Sequence, residues 1–277
     1  MKLRHAAVAG SWYPGRGEDI VREVDAYLAA VPERRVPGRL VALLSPHAGL
    51  RYSGPVAAWG YALVRGLRDT TCVLVGPSHR VAFEGCAIQA EGAFETPLGV
   101  VPIDEPLAQR LLDREAGIES SSDVHRAEHS LEMQLPFLQH LIPGLRIVPI
   151  LMGSQERAEV DALAESLALA LKERAALLVA SSDLSHYHPA RVANALDAQV
   201  VADVERFDAD ALMARLEHDH GHACGGGPIV AVMRAARALG ANRASVLRYA
   251  DSGDAGEHDK TRVVGYLSAA FSEVRPG

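Results

Sequence analysis

The chain is poor in cysteine. Cys72, Cys86 and Cys224 are the only three in 277 residues, and they show none of the paired spacings of a disulfide framework or a zinc ribbon. A reducing compartment, the cytoplasm, is therefore expected. Long hydrophobic runs are also missing: none approaches the roughly 18 residues of a membrane-spanning helix. Behind Lys2 and Arg4 the apolar stretch is cut by Ser11-Trp12-Tyr13-Pro14-Gly15, so no secretory signal is read. No block of like charge stands out, and the formal charge of −7 argues against a nucleic-acid or anionic-membrane partner. No linker, low-complexity stretch or convincing fixed-period repeat divides the chain. What remains is 48% apolar and 23% charged, a balance able to bury a sizeable core. One domain spanning 1–277 is expected.

Periodicity supplies the elements. Ile20, Val24, Tyr27, Leu28 and Val31 form one stripe of a helix over Glu18–Val31, with Pro32 and Pro37 behind it. Further helices are predicted at Gly54–Leu67, Glu105–Asp113, around Glu128–Leu141, and at Glu156–Lys172, Pro189–Arg206, Asp208–Glu217 and Pro228–Leu239. Strands are predicted at Arg39–Leu44, Thr71–Val75, Ala87–Gln89, Leu145–Met152, Leu177–Ser181, Ser245–Tyr249 and Val263–Phe271, with a turn at Thr96-Pro97-Leu98-Gly99. Pro149 demotes the Leu145–Met152 strand toward an edge or a bulge, because proline cannot donate to a ladder. Alternating strands and helices predict an α/β fold: a largely parallel or mixed central sheet with helices on both faces.

Three apolar runs end in a histidine. Leu40–Leu44 leads into Ser45-Pro46-His47, Cys72–Val75 into Gly76-Pro77-Ser78-His79, and Leu177–Ala180 into Ser181-Ser182-Asp183-Leu184-Ser185-His186. Ligands of open α/β sheets bind beyond the carboxyl ends of the strands, so these histidines are candidate metal ligands or proton carriers of one site. Singly, His47 and His79 read rather as loop residues capping backbone groups; their shared architecture turns the balance toward a site. Asp183 and His186 sit in one turn, where a carboxylate accepting an imidazole N–H would fix its tautomer. His188, just before Pro189, is the weaker candidate and reads as a helix-entry loop residue.

Cys224 precedes Gly225-Gly226-Gly227-Pro228 and a predicted helix. The positive end of the helix dipole would stabilise its thiolate, the form that binds metal or attacks. Cys72 and Cys86 read as small buried residues. His125-Arg126-Ala127-Glu128-His129 matches the H-x-x-E-H pattern of inverted zinc peptidases, but so short a pattern arises by chance and Pro136 interrupts the helix it needs. His218, His220 and His222 read as a polar loop. Glu128, His129 and Glu132 remain candidates to line a pocket.

Taken in order, Ala9-Gly10-Ser11-Trp12-Tyr13, Pro46-His47-Ala48-Gly49, Gly76-Pro77-Ser78-His79, Glu128-His129-Ser130-Leu131-Glu132-Met133, Ser181-Ser182-Asp183-Leu184-Ser185-His186 and Cys224-Gly225 resemble the Memo family. That family is named after the mediator of cell motility, and its prokaryotic members are also called AmmeMemoRadiSam system protein B. The resemblance implies a single-domain fold like that of the class III (LigB-like) extradiol dioxygenases. It also implies a pocket lined by His47, His79, Asp183, His186 and Cys224, with Trp12, Glu128 and His129 in the matching motifs. By analogy with those dioxygenases, His47 and His79 would be metal ligands and His186 the acid/base. Cys224 falls where their carboxylate ligand would be.

The cysteine alters the implied chemistry. Thiolate is softer than carboxylate, suits iron, copper(I) or zinc, and is itself oxidisable. The leading expectation is a metal-dependent redox protein, binding iron or copper through His47, His79 and Cys224, with His186 and Asp183 handling protons for a small-molecule or peptide substrate. A second is a binding or scaffold protein that reuses the pocket, with the radical-SAM and AMMECR1-like partners that the resemblance implies. A metal-assisted hydrolase ranks third.

Overall fold

The computed structural model describes residues 2–33, 35–114, 117–255 and 259–275. The domain span expected from the sequence, 1–277, includes a few residues outside these. Along the chain run β1 (Leu3–Arg4), α1 (Gly17–Ala29), β2 (Arg39–Ser45), α2 (Leu50–Tyr61), β3 (Thr71–Pro77), β4 (Cys86–Ile88), β5 (Ala93–Thr96) and β6 (Gly99–Pro102). Then come α3 (Glu105–Leu112), β7 (Ile118–Ser120), α4 (Leu135–Leu141), β8 (Arg146–Met152), α5 (Arg157–Leu171), β9 (Leu177–Ser181) and β10 (His186–His188). The chain closes with α6 (Ala190–Glu205), α7 (Ala209–His218), α8 (Gly226–Ala238), β11 (Arg243–Asp251) and β12 (Val263–Glu273).

Nine of the described strands form one mixed sheet in the order β10-β12-β2-β9-β3-β8-β4-β7, with β11 on β12. Its centre, β2-β9-β3-β8, is parallel, and β12 and β4 flank it antiparallel. Every residue of β3 and β9 is buried, as the continuous apolar runs require of strands covered on both faces. Helices α1, α2 and α4 pack together on one side, and α3, α5, α7 and α8 on the other. The fold is thus the mixed α/β arrangement the alternation predicted.

Three differences from the sequence reading have physical causes. The segment 128–131 is not helical; a single 3-10 turn over Glu132–Gln134 leads into α4. There the Glu128 carboxylate accepts the N–H groups of His129 and Ser130, both at 2.9 Å, so a side chain takes the role of a helix-start cap. Helix α2 begins one turn earlier than expected, where Leu50 N–H donates to Trp12 O at 2.7 Å, and its last turn tightens into a 3-10 segment over Ala62–Val64.

Pro149, thirdly, lies in an interior strand rather than at an edge. Asp104 N–H donates to Ile147 O, and the period-two alternation of a strand turns Pro149 to that same side. The β4 ladder stops at Ile88 with Ile150, so the missing N–H interrupts no ladder. The short strands β1, β5 and β6, which make a separate three-stranded sheet around the expected turn, were not legible as strands.

Candidate metal centre

Strands β2, β3 and β9 are parallel, so their carboxyl ends share one edge of the sheet. At the same offset, two residues past each strand, stand His47, His79 and Asp183. The third equivalent position therefore holds a carboxylate; His186 follows on β10 and reaches the same cavity.

His47 is 2% exposed. Its Nδ1 lies 2.9 Å from Ser181 Oγ, and that hydroxyl donates its only proton to Ser130 O at 2.6 Å. Ser181 must then accept from His47, which makes Nδ1 the protonated nitrogen and leaves the Nε2 lone pair free. Nε2 sits 3.2 Å from Cys224 Sγ. Asp183 Oδ1 accepts the backbone N–H groups of His47 and Ala48, at 2.7 and 3.2 Å, clamping the turn.

Cys224 enters from the segment just before helix α8. Gly225 N–H donates to Ser182 Oγ at 2.9 Å, and Asp183 N–H points at Sγ over 3.3 Å. A Cβ on Gly225 would lie 2.5 Å from Ser181 O, so only glycine lets the helix start this close to β9. His79 is held by Glu128, whose Oε1 lies 2.9 Å from Nδ1. The ligand atoms of His47, His79 and Cys224 all lie within 4.8 Å of one another.

Burial sets the charges. It pushes His47 down to about 3, with repulsion from His79 adding to the effect, and His129 down to about 3, with His47 adding. Both rings are neutral imidazoles at neutral pH, the form that ligates. Asp183 is raised to about 6 by burial, against the pull of the His47 and Ala48 N–H groups. For Glu128 burial works upward, but the hydrogen bond and charge of His79 outweigh it and hold the carboxyl below its usual range.

Cys224 differs from the sequence expectation. Burial and the neighbouring Asp183 push its thiol well up, against the N–H groups of Asp183 and Gly225. The helix start by itself does not make a thiolate here; a cation would.

Two imidazole lone pairs and a thiol fit a borderline or soft metal ion, with iron, copper and zinc all compatible with the donor set. Around them opens a cavity of about 990 Å³, lined also by Trp12, His129, Asp183 and His186. Trp12 packs on the His129 ring at 4.2 Å. Arg80, Arg262, Tyr52 and Tyr187, which sequence reasoning did not single out, are among its other lining residues, as are Glu23 and Asp259. Tyr187 adopts φ +63°, an uncommon conformation for a bulky residue, between His186 and His188. Only adjacency to His79 and His186 could have flagged Arg80 and Tyr187.

Other candidates fall elsewhere. Among the described residues no hydrogen bond or ion pair joins Asp183 to His186, although both line the cavity. Glu128 stands behind His79 and His129 rather than on the cavity wall. Glu132 does not line this cavity: fully buried, it pairs with Arg4 and accepts from Ala7 N–H, Val8 N–H and Tyr13 Oη–H. His125 packs edge-on to Phe94, away from the cavity, so the H-x-x-E-H pattern is not a zinc motif. His188 does not line the cavity, His218 and His220 are exposed and His222 is buried. Cys72 and Cys86 are buried free thiols, each pushed to about 12 by burial.

Fold and constellation together define a mixed α/β protein with a His/His/Cys cluster at the carboxyl edge of its parallel strands. A family model described as Memo-like protein matches residues 4–270, and the chain belongs to the Memo family. It is 36% identical to a MEMO1 family protein of Methanocaldococcus jannaschii, covering 97% of this chain and 98% of that one. Identity to a MEMO1 family protein of Thermotoga neapolitana is 35%, over 98% of this chain and 100% of the relative. An uncharacterized protein of Escherichia coli K12 shares the fold with a TM-score of 0.58, at 17% identity and covering 84% of this chain and 100% of that chain.

Proposed function

We propose that this chain is a metal-dependent redox protein, with iron or copper held by His47 Nε2, His79 and Cys224 Sγ. The carrying observation is the convergence of three ligand atoms within 4.8 Å, on rings whose Nδ1 positions are already engaged. Such an ion supplies electron transfer to or from a bound ligand when present. The protein's own groups bind and orient: Asp183 clamps the His47 turn, and its carboxyl, raised to about 6, can hold a proton near neutral pH. His186 offers a second proton carrier on the same wall. A thiol in place of a carboxylate ligand separates this reading from ordinary non-haem dioxygenase chemistry. Among the described residues no helix is long and apolar enough to cross a membrane, and a cytoplasmic location is our proposal from the cysteine usage.

Metal analysis after anaerobic purification tests this. The parent should carry near one equivalent of iron or copper, and His47→Ala, His79→Ala and Cys224→Ser should carry little. Equal metal in all four sinks the assignment. Turnover of a catechol-like substrate with oxygen would separate dioxygenase-like chemistry from other redox work.

The cavity also supports a binding reading. Its 990 Å³ exceeds what an ion needs, and aromatic Trp12, Tyr52 and Tyr187 with cationic Arg80 and Arg262 suit a small molecule or a peptide side chain. In this reading the chain serves as a scaffold for a peptide or for radical-SAM and AMMECR1-like partners. Co-purification of such a partner, unchanged in His79→Ala and Cys224→Ser, would favour it over the redox reading.

A further inference from the structure

Among the described residues two groups of side chains could be read as metal sites: His47 with His79 and Cys224, and His79 with Glu128 and His129. Hydrogen-bond capacity separates them. A carboxylate has about four lone-pair sites, and Glu128 already receives four N–H groups. Oε1 accepts His79 Nδ1–H, His129 N–H and Ser130 N–H, each at 2.9 Å, while Oε2 accepts His79 N–H. With 1% of its side chain exposed and four N–H groups already on its carboxylate, Glu128 is committed as an acceptor and has little room for an ion. The second group is a hydrogen-bonding node.

We infer that Glu128 is the positioning residue of the centre, locking His79 as the Nδ1–H tautomer so that Nε2 faces His47 and Cys224. As a bearer of the metal affinity this role rests on the redox-metal reading above; as a tautomer lock it stands on the hydrogen bonds alone. His79 needs such a lock because its loop does not supply one: its side chain is 29% exposed and its neighbour Arg80 is exposed. A free histidine favours the other tautomer or exchanges between both, and outer carboxylates that hold a ligating imidazole fix ring and tautomer together. An ionised carboxylate only accepts, so the proton on Nδ1 is obligatory.

The clamp extends to the backbone. Glu128 grips both the N–H and the ring of the same residue, and Ser130 Oγ donates to Pro77 O at 2.9 Å, two residues upstream. A Cβ on Gly76 would lie 2.8 Å from Leu131 and 3.0 Å from Ser130 Oγ, so the 128–131 segment and the end of β3 are in close contact. Position and tautomer of His79 are set from the same short segment.

The test is side-chain ¹H–¹⁵N NMR of the full-length, metal-free protein, with cobalt(II) titration beside it. Wild type should show His79 protonated at Nδ1. Glu128→Ala should shift the proton toward Nε2, as should Glu128→Gln, which preserves packing but can donate as well as accept. Cobalt(II) affinity should fall about 10- to 100-fold in Glu128→Ala, with Glu128→Gln in between. A wild-type Nε2–H tautomer, or an Nδ1–H tautomer that survives both substitutions, would overturn the lock. A correct tautomer in a wild-type protein that takes up no cobalt would overturn the metal reading while supporting the lock. Because Glu128→Gln is nearly isosteric, a tautomer shift there is not a consequence of lost packing.

Discussion

His47 and His79 leave the two strands that flank β9 at the same offset, yet one is 2% exposed and the other has 29% of its side chain in solvent. The buried ring is fixed by the sheet. Ser181, in register with Ser45, accepts its Nδ1–H, and Gln134 Nε2 donates to the same hydroxyl at 2.8 Å. The open ring is fixed by a carboxylate from a loop 49 residues away. A neutral hydroxyl suffices where packing already immobilises the ring; where solvent competes, a charge-assisted bond is used. The comparison predicts that the buried arm couples metal binding to stability and the open arm separates them.

The largest test is to remove each ring. His47→Ala should abolish metal binding and lower unfolding stability by about 2–4 kcal/mol, through a core cavity and unpaired polar groups. His79→Ala should abolish metal binding with a stability change below about 1 kcal/mol, as for an exposed side chain. Urea denaturation of metal-free protein reads both, and equal losses would break the comparison.

Ser181→Ala is next in size. It strands His47 Nδ1–H and Ser130 O and leaves Gln134 Nε2 with Pro46 O alone, a cost of about 1–3 kcal/mol, and should weaken metal uptake without eliminating it. A variant as stable as the parent would show that the sheet does not hold His47 in this way.

Acid supplies a third test on metal-free protein. His47, His125 and His129 are held at about 3, chiefly by burial, against an ordinary value near 6.5. Between these values the unfolded chain binds protons that the folded one refuses, so stability falls as pH drops from about 6.5 toward 3. Asp183 has the opposite sign: raised to about 6, it contributes stability at low pH that is lost as pH rises through 6. Three histidines against one carboxyl should leave the urea midpoint lower at pH 4.5 than at pH 7. His125→Gln, outside the cavity, should flatten the slope; an unchanged slope would remove His125 from the account.

The smallest effect belongs to the β10 wall of the cavity, outside both arms. Tyr187, 63% exposed at φ +63°, should be replaceable by glycine with a gain of up to about 1 kcal/mol, because glycine takes this conformation without strain. A lower melting temperature in Tyr187→Gly would mean that the tyrosine ring itself supports the His186 segment.

Much of the fold was legible locally. The stripe of Ile20, Val24 and Leu28 is the buried face of α1, and β9 spans the residues its apolar run predicted. Legibility failed where a side chain replaced a backbone partner. Glu128 caps His129 and Ser130 and so cancels the helix expected there, and Pro149 sits in the sheet because its neighbour strand has already ended. In the site, His47, His79 and Cys224 were readable from strand ends and a glycine-rich helix start. Ser181 and Gln134, which set the His47 tautomer, carried no local signal.

The order of residues alone fixed the central strands β2, β3, β8 and β9, their order of appearance and the residue types that could ligate, because periodicity and chain direction are local properties. Tertiary structure decided which of those residues meet: Cys224 and His47 are 177 residues apart and 3.2 Å from each other, whereas His125, four residues from His129, faces Phe94 instead. It also decided protonation. The thiol that a helix start should ionise is held neutral by burial and Asp183, since desolvation depends on everything packed around a group and not on its neighbours in the chain.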